Sequence, residues 1–257
     1  MTWKIEYSKI QENIQVKGFS VSEKDCRSYF SDHVSSKIIE SDSAEHLRTH
    51  LAELETTGFD TSTLLTQTRS APQVKDWEVG EAFAETVLED EHEAMFPWET
   101  GWDKRTFKAS LPGADIIGLQ NKTNPRFIFG QVKSSSETRI PPQVVSSSND
   151  SLKNQMYCLC HSTAERIQLI QWLLLRVKET DWERAFNEAI ENYAQNNYYL
   201  VGVLVSGGRD ANENDLTGIC MDIHHNVEDS EMSLFGYYLP FDKKEWVGLA
   251  HVQEVAQ

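Results

Sequence analysis

The chain reads Leu111-Pro-Gly-Ala-Asp-Ile-Ile-Gly-Leu119 and then, six residues later, Arg126-Phe-Ile-Phe-Gly-Gln-Val-Lys133. The first stretch opens on a Pro-Gly turn signal and becomes apolar and β-branched, and the second alternates with period two. Both patterns predict β-strands. The residues between them, Gln120-Asn-Lys-Thr-Asn-Pro125, are rich in turn formers. We therefore expect an antiparallel hairpin.

Two polar residues end the second predicted strand. Because successive side chains of a strand point to opposite faces, Gln131 and Lys133 share one face and Val132 lies on the other. A hairpin can bring Asp115 beside them, although the sequence does not fix the register. The predicted set is a carboxylate, an amide oxygen and an ammonium.

A helix upstream offers further carboxylates. Residues 75–89 have helical character, with Asp76 as a candidate N-cap and acidic residues in the early turns. Glu81 and Glu85 are four residues apart, so both carboxylates lie on one face of this helix. The sequence does not choose between them.

This set of residues matches the needs of phosphodiester hydrolysis. A divalent cation offsets transition-state charge and activates a water, and Mg²⁺ prefers oxygen ligands. We expect the metal ligands to be Asp115, Gln131, the Val132 backbone carbonyl and Glu85, with Glu81 as the alternative to Glu85. Lys133 would orient the attacking water or stabilise the growing charge.

Each residue also has a purely structural interpretation. Asp115 could close a turn after Gly113, and Lys133 could point into solvent at a strand end. Glu81 and Glu85 could form the wet face of an amphipathic helix. The order, the spacing and the shared strand face of Gln131 and Lys133 favour the catalytic interpretation.

The motifs follow one another as in a known superfamily. Gly80-Glu81 and Glu85 on a helix, Gly113-Ala-Asp115 on a strand and Gln131-Val-Lys133-Ser on the next strand resemble the PD-(D/E)XK nuclease core. The resemblance covers about residues 75–137. It implies an α/β (α+β) fold, with a central mixed sheet flanked by helices and an N-terminal extension. It also implies a Mg²⁺- or Mn²⁺-dependent deoxyribonuclease.

The chain departs from this pattern at Gln131, where a Glu or Asp is usual. Mrr-type members of the superfamily show the same departure.

A narrower resemblance rests on the chain length, the N-terminal extension, Gly-Ala-Asp before the hairpin and the long helical stretch after Gln-Val-Lys. These features are similar to the small nuclease subunits (HamA) of Hachiman anti-phage systems. That family works with a large helicase (HamB), so the resemblance implies DNA and a helicase as partners.

The charge balance opposes simple DNA binding. The 257 residues include 24 basic and 40 acidic ones, for a net charge of −16, whereas affinity for phosphates normally comes from Lys and Arg. Either a partner holds the DNA, or basic residues gather around the site. The candidates for such a cluster are Lys104, Arg105, Lys108, Lys122, Arg126, Lys133 and Arg139.

The patterning predicts two parts: an N-terminal lobe of unknown role over residues 1–70 and a nuclease-like domain over residues 71–257. The lobe would contain a strand at 3–7 and a helix at 42–57, joined to the domain by a polar linker at 61–72. The domain would continue with helices at 151–161, 164–178 and 181–195 and with strands at 198–205 and 235–241. The sequence shows no membrane-spanning run and no signal peptide, which predicts a cytoplasmic protein without a membrane partner.

Three classes of function follow. The favoured one is a metal-dependent nuclease subunit that acts with a helicase in anti-phage defence. The alternative is a catalytically inactive adaptor that keeps the nuclease fold to bind or regulate a partner, which Gln131 and the acidic balance favour. A small-molecule enzyme has little support, because no Gly-rich phosphate loop or nucleophile elbow is present.

Overall fold

The fold comes from a computed structural model, which describes residues 1–38, 42–58, 60–62, 74–97, 113–147, 149–223 and 230–250. Seven strands form one mixed sheet in the order β1-β2-β7-β6-β5-β4-β3. They are β1 (Lys4–Gln11), β2 (Ile14–Ser20), β3 (Ala94–Met95), β4 (Ile116–Gln120), β5 (Arg126–Ser135), β6 (Tyr199–Gly207) and β7 (Glu231–Leu239). The four central strands β2, β7, β6 and β5 run parallel, and the edges pair antiparallel.

Helices connect and cover these strands. They are α1 (Glu23–Tyr29), α2 (Ser35–Ile38), α3 (Asp42–Thr56), α4 (Asp76–His92), α5 (Gln143–Ser146), α6 (Leu152–His161), α7 (Thr163–Val177), α8 (Glu183–Ala194), α9 (Asn214–Ile223) and α10 (Trp246–Ala250). A π-helical turn (Phe30–Val34) follows α1, and a 3₁₀ turn (Lys243–Glu245) precedes α10. Among the described residues, no helix is long and apolar enough to cross a membrane.

One face of the sheet lies under α6, α7, α8 and α9. Met156, Leu173 and Phe186 from these helices pack into one core with Phe127 and Phe129 of β5. We call this side the Phe127 face. Because β6 is covered on both sides, every one of its residues is buried, as is typical of a parallel strand.

The opposite face of the sheet lies under α1, α4 and α10. Phe83 of α4 and Trp246 of α10 share a second core with Ile128 and Val132 of β5. We call this side the Val132 face. The predicted alternation of side chains along β5 is thereby confirmed for its apolar positions.

The chain is therefore α/β, with a seven-stranded mixed sheet flanked by helices, and the predicted hairpin is antiparallel. Its first strand is shorter than predicted. Regular pairing begins at Ile116, so Asp115 lies just before β4 rather than within it. The assignment to the PD-(D/E)XK core stays a prediction.

The N-terminal residues contribute to the same sheet. The strand predicted at 3–7 is β1, and β2 follows it after a turn in which Glu12 and Asn13 have φ values of 49° and 62°. β2 was not predicted, although Ile14-Gln-Val-Lys alternates and Asn favours this left-handed turn conformation. The predicted boundary at residue 70 and most of the predicted linker lie outside the described residues.

Candidate active site

The carboxyl end of β5 extends past its neighbour β4. The last residue pair of the hairpin joins Ile116 to Gly130, whereas β5 continues to Ser135 beside β6. From residue 131 onward β5 therefore has a strand neighbour on one side only, as far as the described residues show. We call this open edge beside residues 131–135 the notch.

Asp115 lies at the end of the notch next to β4. Its N–H donates to the Gly130 carbonyl at 3.1 Å, and its Oδ2 accepts a hydrogen bond from the Val132 N–H at 2.9 Å. The carboxylate thus accepts the Val132 N–H, which would otherwise bond to a neighbouring strand. Since the N–H and C=O of one strand residue point to the same edge, the Val132 carbonyl also faces the notch.

Gln131 is completely buried. Its Nε2 donates to the Gly113 carbonyl at 2.6 Å, which fixes the orientation of the amide because a carbonyl only accepts. Gly113 can present this carbonyl because its φ of 80° lies in the left-handed region that favours glycine. The Oε1 atom of Gln131 is buried and has no hydrogen-bond partner among the described residues.

Lys133 lies two residues farther along the same face of β5. Its side chain is 14% exposed, and its Nζ is 3.3 Å from Oδ1 of Asp150, which immediately precedes the N-cap of α6. Asp115, Gln131 and Lys133 are therefore gathered at one end of β5. The contact with Asp150 places the Lys133 ammonium on the Phe127 face, to which α6 belongs.

Glu81 and Glu85 lie on α4, across the sheet from Gln131 and Lys133. Gly80 of α4 meets Ser134 of β5 so closely that a Cβ at this glycine would collide with the Ser134 Oγ. Glu85 is completely buried and Glu81 is half-buried. A carboxylate from this helix would have to enter the notch through the gap that β4 leaves. Their role in metal binding stays a prediction.

The surroundings of Glu85 also fit a structural role. Burial raises the pKa of Glu89, one turn farther along α4, above its ordinary value. Lys37, whose Nζ is 2.8 Å from the Glu89 carboxylate, opposes this rise, and the Glu85 carboxylate adds to it. The acidic side chains of α4 thus form a partly buried row in which neighbouring carboxylates repel one another. The Lys37 ammonium offsets part of this repulsion.

A divalent cation in the notch would rely mainly on neutral oxygens. Among the described residues, no group of three or more His, Cys, Asp and Glu side chains could hold a metal ion. Asp115 offers a carboxylate, Gln131 an unpaired amide oxygen and Val132 a carbonyl. Mg²⁺ keeps several waters and needs only one or two carboxylates from the protein, so these residues fit such an ion.

The prediction that basic residues gather around the site is wrong for Arg126. Its Nη2 lies 2.7 Å from Oε2 of Glu231, at the end of β5 away from the notch. Three of the other predicted basic residues, Lys104, Arg105 and Lys108, lie outside the described residues. Of the predicted basic residues that the structure describes, Lys133 lies at the notch.

Sequence reasoning did not single out Asp150. The predicted helix start at residue 151 agrees with the structure, since Ser151 caps α6, and Asp150 is the residue just before this cap. Only the return of the chain after β5 brings it to Lys133. Comparisons of the chain with models of known protein families and with curated proteins give no match.

Proposed function

We propose that this chain is a metal-dependent nuclease that hydrolyses DNA phosphodiester bonds at the notch. The observation that carries the proposal is the buried, unpartnered Oε1 of Gln131, two residues from Lys133 and beside Asp115. An unpaired buried acceptor costs about 1–3 kcal/mol, which a bound cation would offset. The oxygen set suits Mg²⁺ or Mn²⁺.

The proposed roles follow the geometry of β5. Bound Mg²⁺ would supply an activated water and would offset charge on the phosphate in the transition state. Asp115, Gln131 and the Val132 carbonyl would hold the ion at the open edge of the strand. Lys133 would orient the attacking water or donate to the phosphate oxygen that gains charge. Glu85, or Glu81 instead, would contribute through the gap beside β5.

We further propose that the chain acts in the cytoplasm as the nuclease subunit of an anti-phage defence complex, with a helicase that delivers the DNA. The net charge of −16 supports this division of labour, because the chain itself opposes a phosphate backbone. The surface of α7 supports a protein partner, since Ile167, Leu174 and Leu175 are 39%, 39% and 77% exposed. Grouped exposed apolar side chains mark contact surfaces.

A non-catalytic adaptor is the second candidate. It is favoured by the neutral Gln131 at the position facing Asp115 and by the lack of an acidic or His/Cys metal cluster among the described residues. In that case the notch would be a remnant, and the contact surface on α7 would carry the function.

Cleavage of plasmid and linear DNA separates the two candidates. The purified chain is assayed with Mg²⁺, alone and with a candidate helicase partner, and compared with Asp115→Ala and Lys133→Ala. Lys122→Ala, an exposed lysine of the hairpin turn, is the control. Activity lost in the two notch variants alone supports the nuclease. No cleavage by any protein, together with a stable helicase complex, supports the adaptor.

The partner surface has its own test. Leu175→Glu should weaken co-purification with the helicase by about tenfold, because it places a charge in an apolar contact. Met221→Glu on α9, at a position that is 57% exposed, is the matched control and should bind normally. Equal binding by both variants would exclude this surface of α7 as the contact.

A further inference from the structure

The proposed metal site is poor in negative charge. Asp115 supplies a carboxylate at the open edge of β5. Gln131 and the Val132 carbonyl are neutral, and Glu85 lies on α4, across the sheet from Gln131 and Lys133. Two protein carboxylates would hold Mg²⁺ more tightly than one. A second carboxylate near Lys133 would therefore change what the notch can bind.

Asp150 brings a further carboxylate to Lys133. Its Oδ1 lies 3.3 Å from the Lys133 Nζ and accepts a hydrogen bond from Gln155 Nε2 at 2.5 Å. Both of these contacts fall on the same oxygen. The side chain is 79% exposed, so Oδ2 has room to bind an ion.

The backbone at Asp150 is anchored. The next residue, Ser151, is completely buried, and its Oγ caps α6 by accepting from the Asn154 N–H at 3.4 Å. Leu152 after it is also completely buried. The carboxylate is thus presented from a fixed helix start rather than from a free loop.

The start of α6 lies directly over the neighbour of Gln131. Gln131 pairs with Gly202 of β6, and a Cβ added to Gly202 would contact Met156 at 3.3 Å and Leu152 at 3.4 Å. The amino-terminal turns of α6 therefore cover the strand position next to Gln131. This packing explains how residues far apart in sequence meet at the notch.

A second unsatisfied amide oxygen lies on α6. Gln155 Oε1 is buried and has no hydrogen-bond partner among the described residues. The amide cannot be flipped without cost, since Nε2 donates to the Asp150 carboxylate, which only accepts. Gln131 and Gln155 thus both keep a donor bond and leave an oxygen unpaired, which a cation would satisfy.

We propose that Asp150 is the second carboxylate ligand of a divalent cation in the notch, held in place by its contacts with Lys133 Nζ and Gln155 Nε2. This inference rests on the proposed function and adds a ligand to the same site. The competing interpretation is an ion pair with an exposed aspartate that binds no metal. The two interpretations differ in metal affinity, which does not depend on cleavage.

The test is Mn²⁺ titration calorimetry on the full chain without DNA. Asp150→Asn should weaken Mn²⁺ binding by about tenfold or more, and Asp150→Glu should restore part of it. The matched control is Asp222→Asn, which removes an ion pair of the same length, 3.3 Å, between Lys153 of α6 and Asp222 of α9. The control should bind Mn²⁺ as the wild type does.

Unchanged Mn²⁺ affinity in Asp150→Asn would overturn the inference. If Asp115→Asn weakens binding while Asp150→Asn does not, the proposed function stands and only the role of Asp150 falls. If the wild-type chain neither binds Mn²⁺ nor cleaves DNA with its partner, both fall together. A rise in cleavage by Asp150→Asn at unchanged Mn²⁺ affinity would instead identify Asp150 as an inhibitory counter-ion.

Discussion

The polar side chains at the two ends of β5 differ in how completely they are hydrogen-bonded. At the Arg126 end, the guanidinium donates to Gln120 Oε1 at 3.0 Å and to Glu231 at 2.7 Å, and it also reaches Asn197. The Gln120 amide in turn donates to the His92 carbonyl at 3.1 Å. Each donor that enters this network finds an acceptor within it.

The notch end leaves one buried acceptor unpaired among the described residues. Gln131 Oε1 has no partner among the described residues, and the described ion-pair partner of Lys133 is an exposed aspartate. Buried polar groups whose hydrogen bonds are all made stabilise a fold. A buried polar atom without a partner lowers stability and can mark a binding site. We therefore expect the Arg126 end to contribute stability, and the proposed function places its chemistry at the notch.

The largest effect is expected at Lys133. Lys133→Met should lower kcat for DNA cleavage by about 10²–10⁴, the range for removal of a group that acts on a proton or on developing charge. The free energy of unfolding should change by less than about 1 kcal/mol, since the lost partner Asp150 is 79% exposed and methionine keeps the buried stem of the lysine. Cleavage kinetics and urea unfolding on the same preparation check both values. A fully active Lys133→Met would contradict the proposal that the reaction takes place at the notch.

The next effect concerns acid stability at the Arg126 end. Burial lowers the pKa of His92 from 6.5 to about 4, with its ring stacked 4.3 Å from that of Phe235. Between these two values the unfolded chain binds a proton that the folded chain does not. The free energy of unfolding should therefore fall as the pH drops from 6.5 to 4, by about 3 kcal/mol.

Unfolding titrations at several pH values isolate this contribution. His92→Gln should show a shallower fall than the wild type, because the titrating group is gone. His50→Gln removes a side chain that is 72% exposed and serves as control. Equal slopes for His92→Gln and the wild type would exclude His92 as the cause.

A smaller effect is expected from Arg126 itself. Arg126→Met should destabilise the fold by about 2 kcal/mol, the scale of hydrogen bonds to a charged group, because it leaves Gln120 and Asn197 without their donor. Cleavage per folded molecule should not change. Lys122→Met, in the same hairpin, should affect neither stability nor cleavage. Loss of cleavage in Arg126→Met without loss of stability would erase the distinction between the two ends.

Local patterns predicted the parts of the fold that depend on local chemistry. The hairpin, the faces of β5 and helix α4 followed from period-two alternation, turn formers and helical spacing. The strand order did not, because pairing of β2 with β7 joins residues more than 200 positions apart. No local pattern encodes such a pairing.

The site shows the same division. Asp115, Gln131 and Lys133 meet because a hairpin and a strand period bring them together, and both were visible in the sequence. Asp150 reaches Lys133 only through the packing of α6 over β6, which depends on the small Gly202. Sequence spacing alone could not reveal that contact.

In the proposed site, Gln131 Oε1, which has no partner among the described residues, binds a divalent cation. Thermal unfolding of the wild type and of Gln131→Leu, each with and without Mg²⁺ or Mn²⁺, tests this claim. The metal should raise the Tm of the wild type and leave that of Gln131→Leu nearly unchanged, because binding to the folded state alone stabilises it. An equal rise in both proteins, or none in either, would contradict the claim.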